Sequence, residues 1–406
     1  MSASSPLHSL HSVEQEKPRS RGRRVLYFVP LSLLMIAVVV MTGIGVGTQQ
    51  ASLAQADQLR EEVLTQSSQQ SSLPETCVAE DFAAHPADIW AGDRTAASEQ
   101  VFAEHPETGG MRVEGRDGFE FWGDQQSYNI SQALGRAPWL DEQLSQWLAY
   151  FSALDEDLQR DGRDLVIVVA PAKWELYREK LPEWADDIQG FTHLEQFLAL
   201  SGDLPVVDAR GAMKEAKSEG PVYSKVNTHW NPYGAYAAWQ QTVACAASLY
   251  PDSVWSQVKV PEMSGIALGV APNEFTPYGN TSTANDWATP ILPPAAPVRS
   301  TITGTDGVPK DGPSDGTVGL LDMPAQTSSA SGVGRALIMR DSMGEALAPT
   351  WSQAFEQTCQ LRHNLDYPEQ RPDVVAEAAR CDADTVLYVF AERYFAQVPP
   401  ALPGGS

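Results

Sequence analysis

Hydrophobic and polar positions change register several times along this chain. Residues 25–47 form a largely apolar run of 23 positions without a charge. At 1.5 Å rise per residue, a helix of that length spans a ~30 Å hydrocarbon core. A cleavable leader is the rival reading, since the 43–48 stretch resembles a small-x-small cleavage site. Past a polar stretch, WLDEQLSQWLAYFSALDEDLQRD places apolar residues at 140, 144, 147, 148, 151, 154 and 158, which is helical spacing with one buried face. An apolar run at 165–170 follows, as expected for a strand covered on both sides. Helices are then expected near 192–201, 233–249, 344–357 and 372–380, with strands at 204–209, 335–340 and 385–390.

This alternation predicts an α/β fold: a three-layer α/β/α domain on a mostly parallel sheet. Residues 262–334 break the pattern with Gly, Pro, Ser, Thr and Asn. They are expected to form a loop-rich insertion with short β-structure near the strand ends. The expected organisation is a cytoplasmic basic tail (1–24), a transmembrane helix (25–47), a helical stalk and linker (48–72) and an extracytoplasmic domain (73–406).

Charge supports that topology. Residues 1–47 hold five basic and two acidic groups, +3, so the other 359 residues carry −27 of the chain's net −24. Basic residues stay on the cytoplasmic side of a span, which sends the large domain outward. So acidic a surface repels a phosphate backbone, and nucleic acid is excluded as a partner. All four cysteines (Cys77, Cys245, Cys359 and Cys381) follow the apolar run, where disulfides persist. Three complete pairings are possible; the short loop between Cys359 and Cys381 favours that bridge. There is no Cys-x-x-Cys or His-x-x-x-His pair and no EF-hand spacing, so neither a metal nor a cofactor is expected.

Two segments can carry chemistry. Arg340-Asp341-Ser342 lies between an expected strand and helix, where a serine Oγ points into the crevice and helix N–H groups can face an oxyanion. His229, in Asn227-Thr228-His229-Trp230-Asn231 just before another helix, is the natural base. Either alone is commonplace, since an Asp-Ser pair often caps a helix. In order with other blocks, they resemble the alginate O-acetyltransferase (AlgJ- and AlgX-like) family of the SGNH hydrolase superfamily. The blocks are 115–121 (GRDGFEF), 169–177 (VAPAKWELY) with Leu181-Pro182, Thr228-His229-Trp230-Asn231 with Gly234 and Ala235, Arg340-Asp341-Ser342, and Ala391-Glu392-Arg393-Tyr394.

The resemblance implies an SGNH-type fold and acyl transfer outside the cytoplasm, with Ser342 as nucleophile and His229 as base. It further implies a polysaccharide or glycolipid acceptor and a membrane-bound O-acyltransferase partner that supplies acyl groups. The family's acid stands two residues before the histidine; here that position is Asn227. Three readings stay open: Asn227 orients His229, a carboxylate from elsewhere does so, or catalysis is lost and the chain is a glycan-binding or assembly protein. Carbohydrate esterase activity is a further alternative. Asp341, Arg340, Trp230, Asn231, Lys173 and Tyr223 are candidates for oxyanion or substrate contacts, weighed against plainer roles: a turn or cap at Asp341 and Asn231, core packing at Trp230, a surface lysine at Lys173 and an acidic partner for Arg340. Glu392 and Arg393 are expected to pair as ions at a strand end.

Overall fold

The computed structural model describes residues 73–78, 95–137, 139–190 and 192–401. The expected tail, transmembrane helix and stalk lie outside the described residues. Among those described, no helix is long and apolar enough to cross a membrane.

The described domain opens with helix α1 (Ala96–Ala103), capped by the Thr95 side chain. A short antiparallel hairpin follows, β1 (Arg112–Glu114) and β2 (Glu120–Trp122). Helix α2 (Asn129–Ala133) leads to α3 (Trp139–Arg160), the expected amphipathic helix. It buries Leu144, Trp147, Phe151, Leu154 and Leu158 completely or nearly so. Each such burial contributes ~1.5–3 kcal/mol before the entropy of ordering is counted.

The sheet begins with β3 (Asp164–Ala170). Then come α4 (Lys173–Leu176), α5 (His193–Leu200), β4 (Val206–Val207), α6 (Arg210–Lys217) and α7 (Pro232–Leu249). The insertion is not structureless. It forms a separate hairpin, β5 (Ile266–Gly269) with β6 (Trp287–Pro290), and three further strands: β7 (Arg299–Ile302), β8 (Lys310–Asp311) and β9 (Ala325–Ser328). The chain ends with β10 (Arg335–Arg340), α8 (Ala348–Ala354), β11 (Gln357–Arg362), α9 (Val374–Arg380) and β12 (Thr385–Ala391).

The eight-stranded main sheet runs β4-β3-β12-β10-β11-β9-β7-β8. The first five strands are parallel, and the insertion adds β9, β7 and β8 antiparallel at one edge, so the sheet is mixed. Side chains alternate along β12. Tyr388 and Phe390 meet Phe151 and Trp147 of α3 on one face, with Trp147 and Phe390 stacked at 5.7 Å. On the other face, Trp255 donates to Thr385 and packs on Trp239 of α7.

Two expectations change. The strand expected at 204–209 shrinks to two residues at the sheet edge, where the Asp208 N–H goes to Cys77 O instead. The helix expected at 344–357 stops at Ala354, and 357–362 forms β11 between β10 and β9. The polar β11 side chains can be buried because they are paired: Thr358 with Thr327 at 2.7 Å, and Gln360 Oε1 with the Arg340 Nε–H. Both disulfides form, Cys77–Cys245 and the expected Cys359–Cys381.

Candidate active site

Ser342 follows the last residues of β10, a strand flanked by parallel neighbours on both sides, so it lies beyond the strand carboxyl ends where such sheets hold ligands. Asp341 shapes the turn. Its Oδ1 accepts the Met343 N–H and its Oδ2 accepts the Ala391 N–H from the end of β12. Gly344 is required there, because a Cβ would meet Arg340 Cδ at 2.3 Å and the Trp351 ring at 2.8 Å. The turn changes the expected oxyanion arrangement. The Met343 N–H is occupied by Asp341 Oδ1, and the Gly344 N–H points to the Asp341 carbonyl at 3.3 Å.

His229 sits in a loop pinched shut by an isolated antiparallel bridge between Tyr223 and Trp230. Asn231 caps α7 by accepting the Gly234 N–H, and Gly234 lies so close to the Val222 carbonyl that a Cβ would meet it at 2.4 Å. The Trp230 indole donates to the Met343 carbonyl at 2.7 Å, tying the histidine turn directly to the serine turn. This brings His229 Nε2 to 2.7 Å from Ser342 Oγ.

The third member comes from the insertion. Glu274 Oε1 lies 2.6 Å from His229 Nδ1, and its Oε2 accepts both the Thr228 N–H at 2.7 Å and the Thr228 hydroxyl at 2.6 Å. Asn227 does not orient the imidazole. Its Oδ1 accepts the His229 backbone N–H, and its amide donates to the Pro272 carbonyl, so both ends of the side chain are used in holding the loop. Of the three readings left open by the sequence, this geometry matches a carboxylate from elsewhere.

Electrostatics agree with that pairing. Burial raises the Glu274 carboxyl, but the hydrogen bond and charge of His229 and the bonds from Thr228 outweigh it and pull the group down to about 2. Burial lowers the His229 imidazole, and Glu274 overcomes this to leave it raised. The triad is partly open to solvent, with 26% of the His229 and 20% of the Glu274 side chain exposed.

The other sequence candidates serve the scaffold. Arg340 is fully buried; its guanidinium donates to Gln360 Oε1 and to the Asp341 and Val318 carbonyls, all inside the fold. Asp341, Trp230 and Asn231 are buried with the internal partners named above. Tyr223 is buried and donates to the Pro171 carbonyl. Lys173 is buried too, its ammonium donating to the carbonyls of Ser224, Lys225 and Asn227. Glu392 and Arg393 do not pair: Glu392 accepts the Ala172 N–H, while Arg393 lies over the Tyr394 ring. Arg393 also lines a small cavity with Trp122, Asn129, Thr228 and Met343, beside the triad. No cluster of metal-ligating side chains occurs among the described residues.

Residues 129–257 match the family model of the SGNH hydrolase-like domain of acetyltransferase AlgX. The chain resembles the AlgJ and AlgX O-acetyltransferases. The matched stretch contains Lys173 and His229 and stops short of Glu274 and Ser342. Relatives described as probable alginate O-acetylase AlgJ include the Pseudomonas putida protein, 32% identical over 124 residues, covering 26% of this chain and 31% of that one. The Pseudomonas aeruginosa protein is 31% identical over 96 residues, covering 23% and 25%. The match thus spans about a third or less of these relatives' length. Solved structures similar in part are Bacillus cereus PatB1 (16% identity, 64% of this chain and 93% of that chain, TM-score 0.48) and the O-acetyltransferase domain of Pseudomonas putida AlgJ (16%, 73% and 95%, 0.43). The domain is an SGNH-like α/β fold on a mixed sheet.

Proposed function

We propose that this protein is an extracytoplasmic O-acyltransferase that moves an acyl group, acetyl in the simplest case, onto a hydroxyl of a cell-envelope polysaccharide or glycolipid. The observation that carries this reading is the hydrogen-bonded chain from Ser342 through His229 to Glu274, at 2.7 and 2.6 Å. In the first step His229 Nε2 takes the Ser342 proton as Oγ attacks the acyl carbonyl. The imidazolium then returns that proton to the departing group, leaving Ser342 acylated. In the second step His229 deprotonates the acceptor hydroxyl as its oxygen attacks the acyl-serine, and the imidazolium returns that proton to the departing Ser342 Oγ, restoring the free serine. Glu274 holds the Nδ1–H tautomer and stabilises the imidazolium in both steps.

The relatives described as alginate O-acetylases support acetyl as the acyl group and a polysaccharide as the acceptor. The two disulfides and the basic segment before the apolar run support a location outside the cytoplasm. A membrane-bound O-acyltransferase that delivers acyl groups to this side is the partner the reaction requires. The reading of an inactive binding protein rested on Asn227, and a carboxylate at His229 Nδ1 removes its main support.

The test incubates the purified full chain with para-nitrophenyl acetate, alone and with alginate oligosaccharides or a neutral glucan. Acetylated sugar, appearing at the expense of free acetate and lost in Ser342→Ala, is the expected result. Acetate release that no acceptor diverts would replace transfer with hydrolysis.

A further inference from the structure

The ammonium of Lys173 lies beneath the loop that carries His229, at the start of α4 just past the end of β3. Its Nζ is 3.2 Å from the Ser224 carbonyl, 3.0 Å from that of Lys225 and 3.1 Å from that of Asn227. The remaining carbonyl of this run, Val226, accepts the backbone N–H of Glu274 at 3.1 Å. One four-residue stretch therefore sets the position of both His229, which follows it, and Glu274, which hangs from it. Asp286 holds the opposite side, accepting the Ser224 hydroxyl and the Lys225 N–H.

Three carbonyls converge on this one nitrogen; those of Lys225 and Ser224 also accept a backbone N–H each, from Glu120 at 2.8 Å and Asn227 at 3.5 Å. A lysine ammonium has three N–H groups; the neutral amine has two and turns a lone pair toward the third carbonyl. The faces of Phe119, Phe121 and Phe275 surround the amine at 5.2–5.8 Å, so water is not close at hand to replace a lost bond.

We propose that Lys173 is a positioning residue for acyl transfer, holding His229 and Glu274 in catalytic register only while it carries its third proton. This rests on the Ser342–His229–Glu274 reading. The charged groups facing it are Glu120 on β2 and Glu274 and Asp286 in the insertion, with Glu392 and Arg393 lining the same cavity. Burial outweighs the three facing carboxylates and pushes the Lys173 ammonium down to about 7, so the third proton is lost near neutral pH.

The experiment measures kcat and KM of the full chain with para-nitrophenyl acetate from pH 5 to 10, subtracting a Ser342→Ala blank, alongside thermal melts. A narrow bell is expected: activity rises as His229 loses its proton and falls again as Lys173 loses its own. The melting temperature should not fall with the alkaline limb, because a lysine whose pKa is lowered by folding adds stability as pH rises from about 7 toward 10.5. Lys173→Met should lower kcat roughly a hundredfold with KM little changed, the scale of a ~1 Å misplacement, and should lose the alkaline limb. Wild-type activity that stays flat to pH 10, or an alkaline limb that persists in Lys173→Met, would overturn the proposal. No Ser342-dependent turnover at any pH would instead overturn the triad reading on which it rests.

Discussion

Glu274→Gln keeps the length of the side chain and removes its charge. In the native site Oε1 faces His229 Nδ1 at 2.6 Å, and Oε2 takes two bonds from Thr228. Glutamine has one oxygen for these duties. If that oxygen faces the imidazole, the amide donors oppose the Thr228 N–H, and leaving that group unsatisfied costs ~1–3 kcal/mol. If it faces Thr228, the amide donates to Nδ1 and fixes the proton on Nε2, so the imidazole cannot accept from Ser342. The equivalent Asp→Asn change in a serine-protease triad costs ~10⁴ in kcat, about 5.4 kcal/mol of barrier. A loss of 10³–10⁴ is expected here, with KM little changed, measured as release of para-nitrophenol under saturating ester. A Glu274→Gln enzyme within tenfold of wild type would refute the assignment of Glu274 as the acid of the triad.

Asn227→Asp restores the residue that the family pattern expects, yet it should not raise the rate. Its new carboxylate would replace the amide that donates to the Pro272 carbonyl, setting oxygen against oxygen, so kcat should stay level or fall; a gain of tenfold or more would show that position 227 acts on the imidazole. Removing the Cys359–Cys381 bridge, which spans a sequence separation of 22, should lower the unfolding free energy by about 3 kcal/mol in denaturant melts of Cys359→Ala/Cys381→Ala. The Glu274 carboxyl, held down to about 2 against its ordinary 4.5, contributes stability that is present above pH 4.5 and lost as pH falls through 2. Acid melts should therefore show up to about 3 kcal/mol more acid sensitivity for wild type than for Glu274→Gln.

The fold was legible where one period dominates. The 3.6-residue spacing of α3 and the apolar runs of β3, β10 and β12 each carry their own evidence of burial. β11 did not, because its interior positions Thr358 and Gln360 are polar and are buried only by partners on β9 and β10. Ser342 and His229 were found because each stands at the start of a helical turn within a recognisable block. Glu274 was not, since a lone acid among Pro, Asn, Phe and Thr has no period and no spacing to either partner. Its signal was indirect: Asn227 left a vacancy for a carboxylate, and the insertion was long enough to supply one. For the polar residues around the catalytic pair, the structure favours the plainer roles: Trp230 packs in the core, Asn231 caps a helix and Asp341 shapes the serine turn. What sequence could not supply was the partners themselves, since Gln360 and Val318 for Arg340, and Pro171 for Tyr223, lie far away along the chain.

During turnover, Ser342 becomes acylated through His229 backed by Glu274. Mass spectrometry of the full chain quenched during turnover of para-nitrophenyl acetate reads this directly. An acetyl group on the peptide containing Ser342, absent in His229→Ala and strongly diminished in Glu274→Gln, is the predicted result. A wild-type Ser342 that stays unmodified while ester is consumed, or acetylation that proceeds equally without His229, would contradict it.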